Sequence, residues 1–132
     1  MHWAMDYIGQ AWERHTHDCW AFVRRVQHER FGRELAPVDV DAVNLLACAR
    51  AIDNAAERAR WDLVHQPAEG DVALLARTRY PSHVGVWIDA DGGGVLHCLE
   101  KVGVIFQGMR ALSAAGWQKV EFYRWKGDAC RP

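Results

Sequence analysis

The sequence predicts an α+β fold, with N-terminal helices packed on a mostly antiparallel sheet of about five to six strands. Before Pro67, apolar side chains recur at helical spacing; after it, short runs rich in Val, Ile and aromatic residues alternate with turns. The chain has 132 residues, of which 50% are hydrophobic, enough to bury one core without metal or disulfide support. We therefore expect a single domain over residues 1–132.

The first helix is predicted to begin at Asp18, a residue type that caps helix N-termini, and to stop at Gly32. Between these ends, apolar side chains follow the helical period: Trp20, Val23, Val26 and Phe31. A second helical region opens near Asp39 or Asp41 and runs through AVNLLACARAIDNAAERAR, which is rich in Ala, Leu, Glu and Arg. Both helices precede the predicted strands.

The strands are predicted to follow LVHQPAEGD, where Pro67 and Gly70 interrupt the helical pattern. Five short runs have the composition of strands: DVALLAR, HVGVWID, VLHCLEK, VGVIFQ and KVEFYRW. An Asp-Gly-Gly-Gly turn joins the second run to the third, and ALSAAG is predicted to be a short helix before the last strand. Helices followed by hairpin-connected strands are typical of α+β proteins, and we expect the helices to cover one face of the sheet.

The composition of the chain argues against several classes of partner. The formal net charge is −1 and no basic block occurs, so we expect no nucleic-acid partner. No stretch approaches the roughly 18 apolar residues of a spanning helix, and MHWAMDYIGQAWERHTHD has no signal-peptide pattern. We expect a monomer that is cytoplasmic at synthesis, with no membrane partner. The four cysteines are widely dispersed, which favours free thiols.

The segment HTHDCW combines two histidines with a cysteine and allows a metal-binding interpretation. Zinc accepts imidazole nitrogen and thiolate sulfur, and His15, His17 and Cys19 alternate along the chain. However, a helix that begins at Asp18 separates Cys19 from the histidines in the preceding loop, and no second ligand cluster follows at finger spacing. We therefore expect neither a metal nor another cofactor.

Cys19 has a stronger interpretation as a reactive thiol. A cysteine in the first turn of a helix faces unpaired backbone N–H groups and the positive end of the helix dipole, and both favour the thiolate. The thiolate is the nucleophilic form, and the same N–H groups can stabilise the oxyanion that forms when sulfur attacks a carbonyl. The position of Cys19 therefore predicts nucleophilic catalysis, provided that a base lies nearby.

Two histidines in neighbouring predicted strands are the candidate bases. His83 opens HVGVWID and His97 lies within VLHCLEK. Both residue numbers are odd and side chains alternate between faces, so the two histidines share a face only if the numbers of residues paired across the two strands add up to an even number. An odd-length loop centred within ADGGG gives that register and lets His83 take the thiol proton while His97 orients its ring. A two-residue turn puts them on opposite faces, and each histidine can also be an ordinary half-buried strand residue. Cys98 faces away from His97 and is predicted to be a small buried hydrophobe.

These residues, in this order, resemble the NlpC-type cell-wall cysteine peptidases, a papain-like superfamily. The similar stretches are YIGQAW, DCWAFVRRVQHERFG, EGDVALL, HVGVWID and VLHCLE. The D-C-W-x-x-V-R start and the FYR ending are similar in particular to the branch associated with phage tails and phage-like particles. The resemblance implies a papain-like fold with Cys19 as the nucleophile, His83 as the general base and His97 as the third residue, which orients the base.

The segment before the cysteine departs from the family pattern. Members commonly have a Tyr followed by Trp-Gly-Gly before Asp-Cys, whereas this chain reads AWERHTHDC and has Trp12 near the Tyr position. Without that motif, the resemblance implies that the oxyanion is stabilised by the Cys19 backbone amide and by a loop histidine, His15 or His17. The remaining pocket candidates are Asp18, foremost a helix cap, and the two tryptophans that flank the nucleophile, Trp12 and Trp20.

The resemblance implies hydrolysis of amide bonds in peptidoglycan stem peptides through a thioester intermediate. Two alternatives stay open: a thiol amidase or acyltransferase on another substrate, similar to the CHAP amidases, and a non-catalytic phage-tail, assembly or binding module that retains the fold. The implied partners are peptidoglycan peptides and phage-tail or secretion-apparatus proteins. The lack of an export signal suits a protein that is assembled into a virion or delivered to the cell wall by injection or lysis.

Overall fold

The structure is a computed structural model, which describes residues 2–13, 18–35, 61–79 and 81–126. In chain order, the helices and strands in these ranges are α1 (Cys19–Phe31), β1 (Trp61–Val64), β2 (Val72–Ala76), β3 (His83–Ile88), β4 (Gly94–Leu99), β5 (Gly103–Gln107), α2 (Met109–Ala114) and β6 (Lys119–Trp125). Short 3-10 turns occur at Trp3–Asp6, before α1, and at Ala90–Gly92, between β3 and β4.

The six strands form one antiparallel sheet in the order β1-β6-β2-β3-β4-β5. Strands β2 to β5 pair with their neighbours in sequence, whereas β6 returns to pair with β2 and carries β1 on its other side. All five runs predicted from the sequence are strands, which confirms the α+β class. The sequence does not predict β1, because WDLV is short and adjoins the predicted helix; among the described strands it pairs with β6 alone.

Helix α1 begins and ends where the sequence predicts. The Asp18 carboxylate Oδ1 accepts a hydrogen bond from the Ala21 backbone N–H at 2.9 Å, and Gly32 ends the helix in the left-handed region with φ 65°. The predicted second helical region, residues 39–60, lies outside the described residues. In the part of the chain that the structure describes, no helix is long and apolar enough to cross a membrane.

The sheet separates two apolar clusters. Helix α1 packs on one face, with Val23 and Val26 fully buried. The strand residues of this first core cluster are Tyr123 of β6 and even-numbered residues of β2 to β5: Val72, Leu74, Val84, Val86, Ile88, Leu96, Cys98 and Val104. Leu112 of α2 lies on the other face, in a second core cluster with Leu75 and Trp87. Helices therefore cover both faces, which corrects the expectation of one covered face and explains why β2 and β3 are buried at every position.

The N-terminal segment lies between α1 and the edge of the sheet. The Gly9 N–H donates to the Val104 carbonyl at 2.9 Å, and the Val104 N–H donates to the Gln10 carbonyl at 2.9 Å. The buried Tyr7 donates its hydroxyl hydrogen to Glu29 of α1 at 2.6 Å. The stretch YIGQAW is thus tied both to β5 and to the helix that begins with Cys19.

Candidate active site

His83 and His97 lie side by side on the face of the sheet that carries α2. Ile88 pairs with Gly94, so residues 89–93 form an odd-length loop and paired positions sum to an even number. His83 Nε2 and His97 Nδ1 are joined by a hydrogen bond of 2.9 Å. Of the two registers that the sequence allows, the structure has the one in which the histidines share a face.

The loop between β3 and β4 reaches this register through left-handed backbone. Asp91 has φ 52°, and Gly92 and Gly93 have φ 84° and 93°. Asp tolerates this conformation better than most residues, and Gly adopts it without steric cost. The Asp-Gly-Gly sequence therefore suits the five-residue loop that brings the histidines together.

Gln107 extends the histidine pair. It is the last residue of β5 and pairs with Val95, so its side chain lies on the same face as that of His97. Gln107 Oε1 and His97 Nε2 are joined by a hydrogen bond of 2.9 Å. Because His97 is fully buried and both of its ring nitrogens have partners, His83, His97 and Gln107 form a continuous polar network.

Trp117 and Arg77 lie beside this network. The Trp117 and His83 rings are stacked, with 5.2 Å between their centroids and 16° between their planes. The Arg77 guanidinium carbon lies 4.1 Å from the centroid of the Trp117 ring, which is a cation–π contact. The stack restrains the His83 ring and leaves a positive charge near the histidine pair.

Burial makes both histidines weakly basic. It lowers the pKa of His83 well below the ordinary value, and the nearby His97 and Arg77 lower this pKa further. Burial also lowers the pKa of His97 to about 4, although the hydrogen bond to Gln107 acts in the opposite direction. Both rings are therefore neutral at neutral pH, and each carries one N–H group.

Cys19 is the first residue of α1, and its side chain is only 4% exposed. It belongs to the first core cluster together with Cys98, which is buried as predicted, on the face of the sheet opposite to His83. Burial and then the Asp18 carboxylate raise the pKa of Cys98 to about 11, so the start of α1 lies near the end of β4 that carries His97. The structure thus joins the two histidines and places the start of α1, which carries Cys19, near the same end of the sheet.

Comparison with known proteins agrees with this architecture. A model of the NlpC/P60 family matches residues 6–126, nearly the whole chain. The chain belongs to the NlpC/P60 family. No curated protein matches it. NlpC/P60 proteins are generally cysteine peptidases, so membership indicates cell-wall peptidase or amidohydrolase activity, and the six-stranded α+β architecture is consistent with their papain-like fold.

The other predicted site residues of this NlpC/P60 chain cap a helix, pack in the core or lie outside the described residues. Asp18 is the N-cap of α1. Trp20 is 6% exposed within the first core cluster, so it has little surface with which to line a groove, and Trp12 packs half-buried against the same cluster. His15 and His17 lie outside the described residues.

Three side chains beside the histidine pair could not be assigned to it from the sequence: Gln107, Trp117 and Arg77. Gln107 ends the apolar run VGVIFQ. A single polar residue at the end of a buried strand often has a functional role, so this pattern could have indicated Gln107 as a site residue. Trp117 is predicted only as a packing residue; it does join the second core cluster, but its stacking on His83 connects distant segments. Arg77 follows β2 in a loop without a local signal of its role.

Acid is expected to destabilise this NlpC/P60 fold through the histidine pair. The pKa of His97 is about 4 in the folded chain and about 6.5 in the unfolded chain, so between these values only the unfolded state binds this proton. The free energy of unfolding therefore falls as the pH drops through this range, by roughly 3 kcal/mol for His97 alone. Urea unfolding at about pH 7 and about pH 4.5 measures the difference.

Two variants separate this effect from other titrations. His97→Gln removes the titrating ring and leaves an amide that can form hydrogen bonds, whereas His65→Gln changes an exposed histidine. We expect the loss of stability in acid to shrink in His97→Gln and to persist in His65→Gln. The same acid loss in all three proteins would show that groups other than His97 cause it.

Proposed function

We propose that this chain hydrolyses amide bonds in peptidoglycan stem peptides, with Cys19 as the nucleophile and His83 as the general base. The observation that carries the proposal is the buried hydrogen bond between His83 and His97 in a chain of the NlpC/P60 family. The place of Cys19 in the first turn of a capped helix supports its role, because that position favours a thiolate.

The proposed reaction proceeds through a thioester. His83 accepts the Cys19 thiol proton, the sulfur bonds to the substrate carbonyl carbon, and backbone N–H groups of the first turn of α1 stabilise the oxyanion. The C–N bond breaks as His83 gives its proton to the leaving amine. Water then attacks the thioester while His83 accepts a water proton, and this proton returns to the Cys19 sulfur as the acid is released.

The weak basicity of His83 sets a requirement for this mechanism. Burial and the Arg77 charge disfavour its imidazolium form, so His83 holds a second proton only while a negative charge lies beside it. In this proposal the Cys19 thiolate supplies that charge before it attacks, and the oxyanion supplies it once the sulfur has bonded to the carbonyl carbon. Since His83 is the first residue of β3, the sulfur would approach the ring around the end of the strand.

Digestion of defined muropeptides by the reduced protein tests the proposal. We expect new amino and carboxyl termini within the stem peptide, identified by mass, and we expect prior alkylation with iodoacetamide to prevent their formation. Cys19 should be alkylated before the buried Cys98, whose raised pKa keeps it protonated, and His83→Gln should slow the alkylation of Cys19.

Three outcomes would contradict parts of this mechanism. Turnover after complete alkylation of Cys19 would exclude the thiol as nucleophile. Equal rates of Cys19 alkylation in the wild type and His83→Gln would exclude His83 as its base. Cleavage between sugar and peptide, instead of within the peptide, would indicate the amidase alternative.

A non-catalytic binding or assembly module, such as a phage-tail component, is the second candidate. Cys19 is 4% exposed within the first core cluster, and this burial limits the access of a substrate to the sulfur. Calorimetry with muropeptides tests this candidate, using protein whose thiols are shown by mass to be reduced. Binding without any product would favour the module over the hydrolase.

A further inference from the structure

The Gln107 amide ends a chain of two hydrogen bonds that starts at His83. Gln107 Oε1 lies 2.9 Å from His97 Nε2, and His97 Nδ1 lies 2.9 Å from His83 Nε2. The His97 ring is fully buried between them. One nitrogen of His97 is therefore engaged by an amide oxygen and the other by the second imidazole.

The direction of both hydrogen bonds follows from the amide oxygen. A carbonyl oxygen can only accept, so Nε2 of His97 must carry hydrogen. A neutral imidazole has one N–H group, so Nδ1 of His97 accepts and Nε2 of His83 donates to it. The remaining ring nitrogen of His83, Nδ1, then holds a lone pair.

We propose that Gln107 is a positioning residue that sets the tautomers of both histidines and leaves Nδ1 of His83 as the proton-accepting atom. A reversed amide would donate to His97 Nε2, reverse both hydrogen bonds and put hydrogen on Nδ1 of His83. His83 would then have no free lone pair. The use of this lone pair in catalysis rests on the proposed function, whereas the tautomers do not.

Long-range ¹H–¹⁵N NMR of the imidazole rings at about neutral pH tests the proposal in the wild-type protein, because it distinguishes protonated from unprotonated nitrogens. We expect hydrogen on Nε2 and a lone pair on Nδ1 in both His83 and His97. The variants His83→Gln and His97→Gln assign the two sets of signals. Hydrogen on Nδ1 of His83 would overturn the proposal.

Gln107→Met tests the source of the tautomers, since it replaces the amide oxygen by a thioether, which accepts only weakly, at similar side-chain length. We expect mixed tautomers and a kcat lowered by about tenfold or more, with KM little changed. Gln118→Met, the same change at an exposed glutamine, should alter neither. Wild-type tautomers in Gln107→Met would contradict the proposal. The expected tautomers in a wild-type protein without hydrolysis would support the positioning role and reject the proposed function.

Discussion

The variant Cys19→Ala is expected to lose muropeptide hydrolysis by about a thousandfold or more. The reason is chemical, because the proposed thioester cannot form without the sulfur. The substitution is small, and the hydrogen bond by which Asp18 caps α1 through the Ala21 N–H does not involve the sulfur. Mass-resolved product formation gives kcat/KM, and the urea midpoint verifies that the variant is folded.

Cys98→Ala is the matched control. It removes a second buried thiol from the first core cluster, and the pKa of about 11 keeps that thiol protonated at neutral pH. We expect Cys98→Ala to keep activity near that of the wild type. Equal losses in the two variants would assign the effect to packing between α1 and β4, and a fully active Cys19→Ala would reject Cys19 as the nucleophile.

The variant Gly85→Ala is expected to lower the free energy of unfolding by about 2 to 3 kcal/mol and to disturb the histidine pair. A Cβ at position 85 would lie 2.5 Å from Val95 Cγ1 and 2.9 Å from both His97 Cβ and the Leu96 carbonyl oxygen. The Leu96 backbone lies within the sheet and cannot move without straining the β3–β4 pairing. The absence of a side chain at Gly85 in the HVG motif therefore provides the space in which the His97 side chain lies.

Urea unfolding and the imidazole NMR signals measure both parts of this prediction. Gly108→Ala is the control, because its Cβ would make only an ordinary contact of 3.6 Å and its φ of −68° suits any residue. We expect Gly108→Ala to leave the histidine signals unaltered and to lower the urea midpoint less than Gly85→Ala, since its cost is limited to the exchange of glycine for alanine at the N-cap of α2. A Gly85→Ala protein with the wild-type midpoint and unaltered histidine signals would show that the strands accommodate the extra methyl group.

The strands and α1 could be predicted because their signals are local. Asp18 and Gly32 mark the ends of α1 by capping, and β3 is apolar at nearly every position because it is buried on both faces. The position of α2 could not be predicted from its own residues. It depends on the apolar side chains of the second face of the sheet, against which Leu112 packs. β1 is half-exposed at an edge and lacks a strong apolar pattern.

The site could be predicted only in part, because its contacts depend on register and on faces. His83 and His97 form a pair only if the loop between β3 and β4 has an odd number of residues, and the sequence left that number open. Gln107 joins them only through the register of β4 with β5. The face that receives α1, and with it Cys19, could not be inferred because both faces of β3 are apolar.

The loop between Ile88 and Gly94 limits how this protein can change. Insertion or deletion of one residue would shift β4 by one position, so that Cys98 would point to the side of His83 and His97 would enter the core beneath α1. A change of two residues would restore the original side. The exposed hairpin therefore tolerates altered length only in steps of two, and the chemistry of the buried pair is set by whether a surface loop is odd or even.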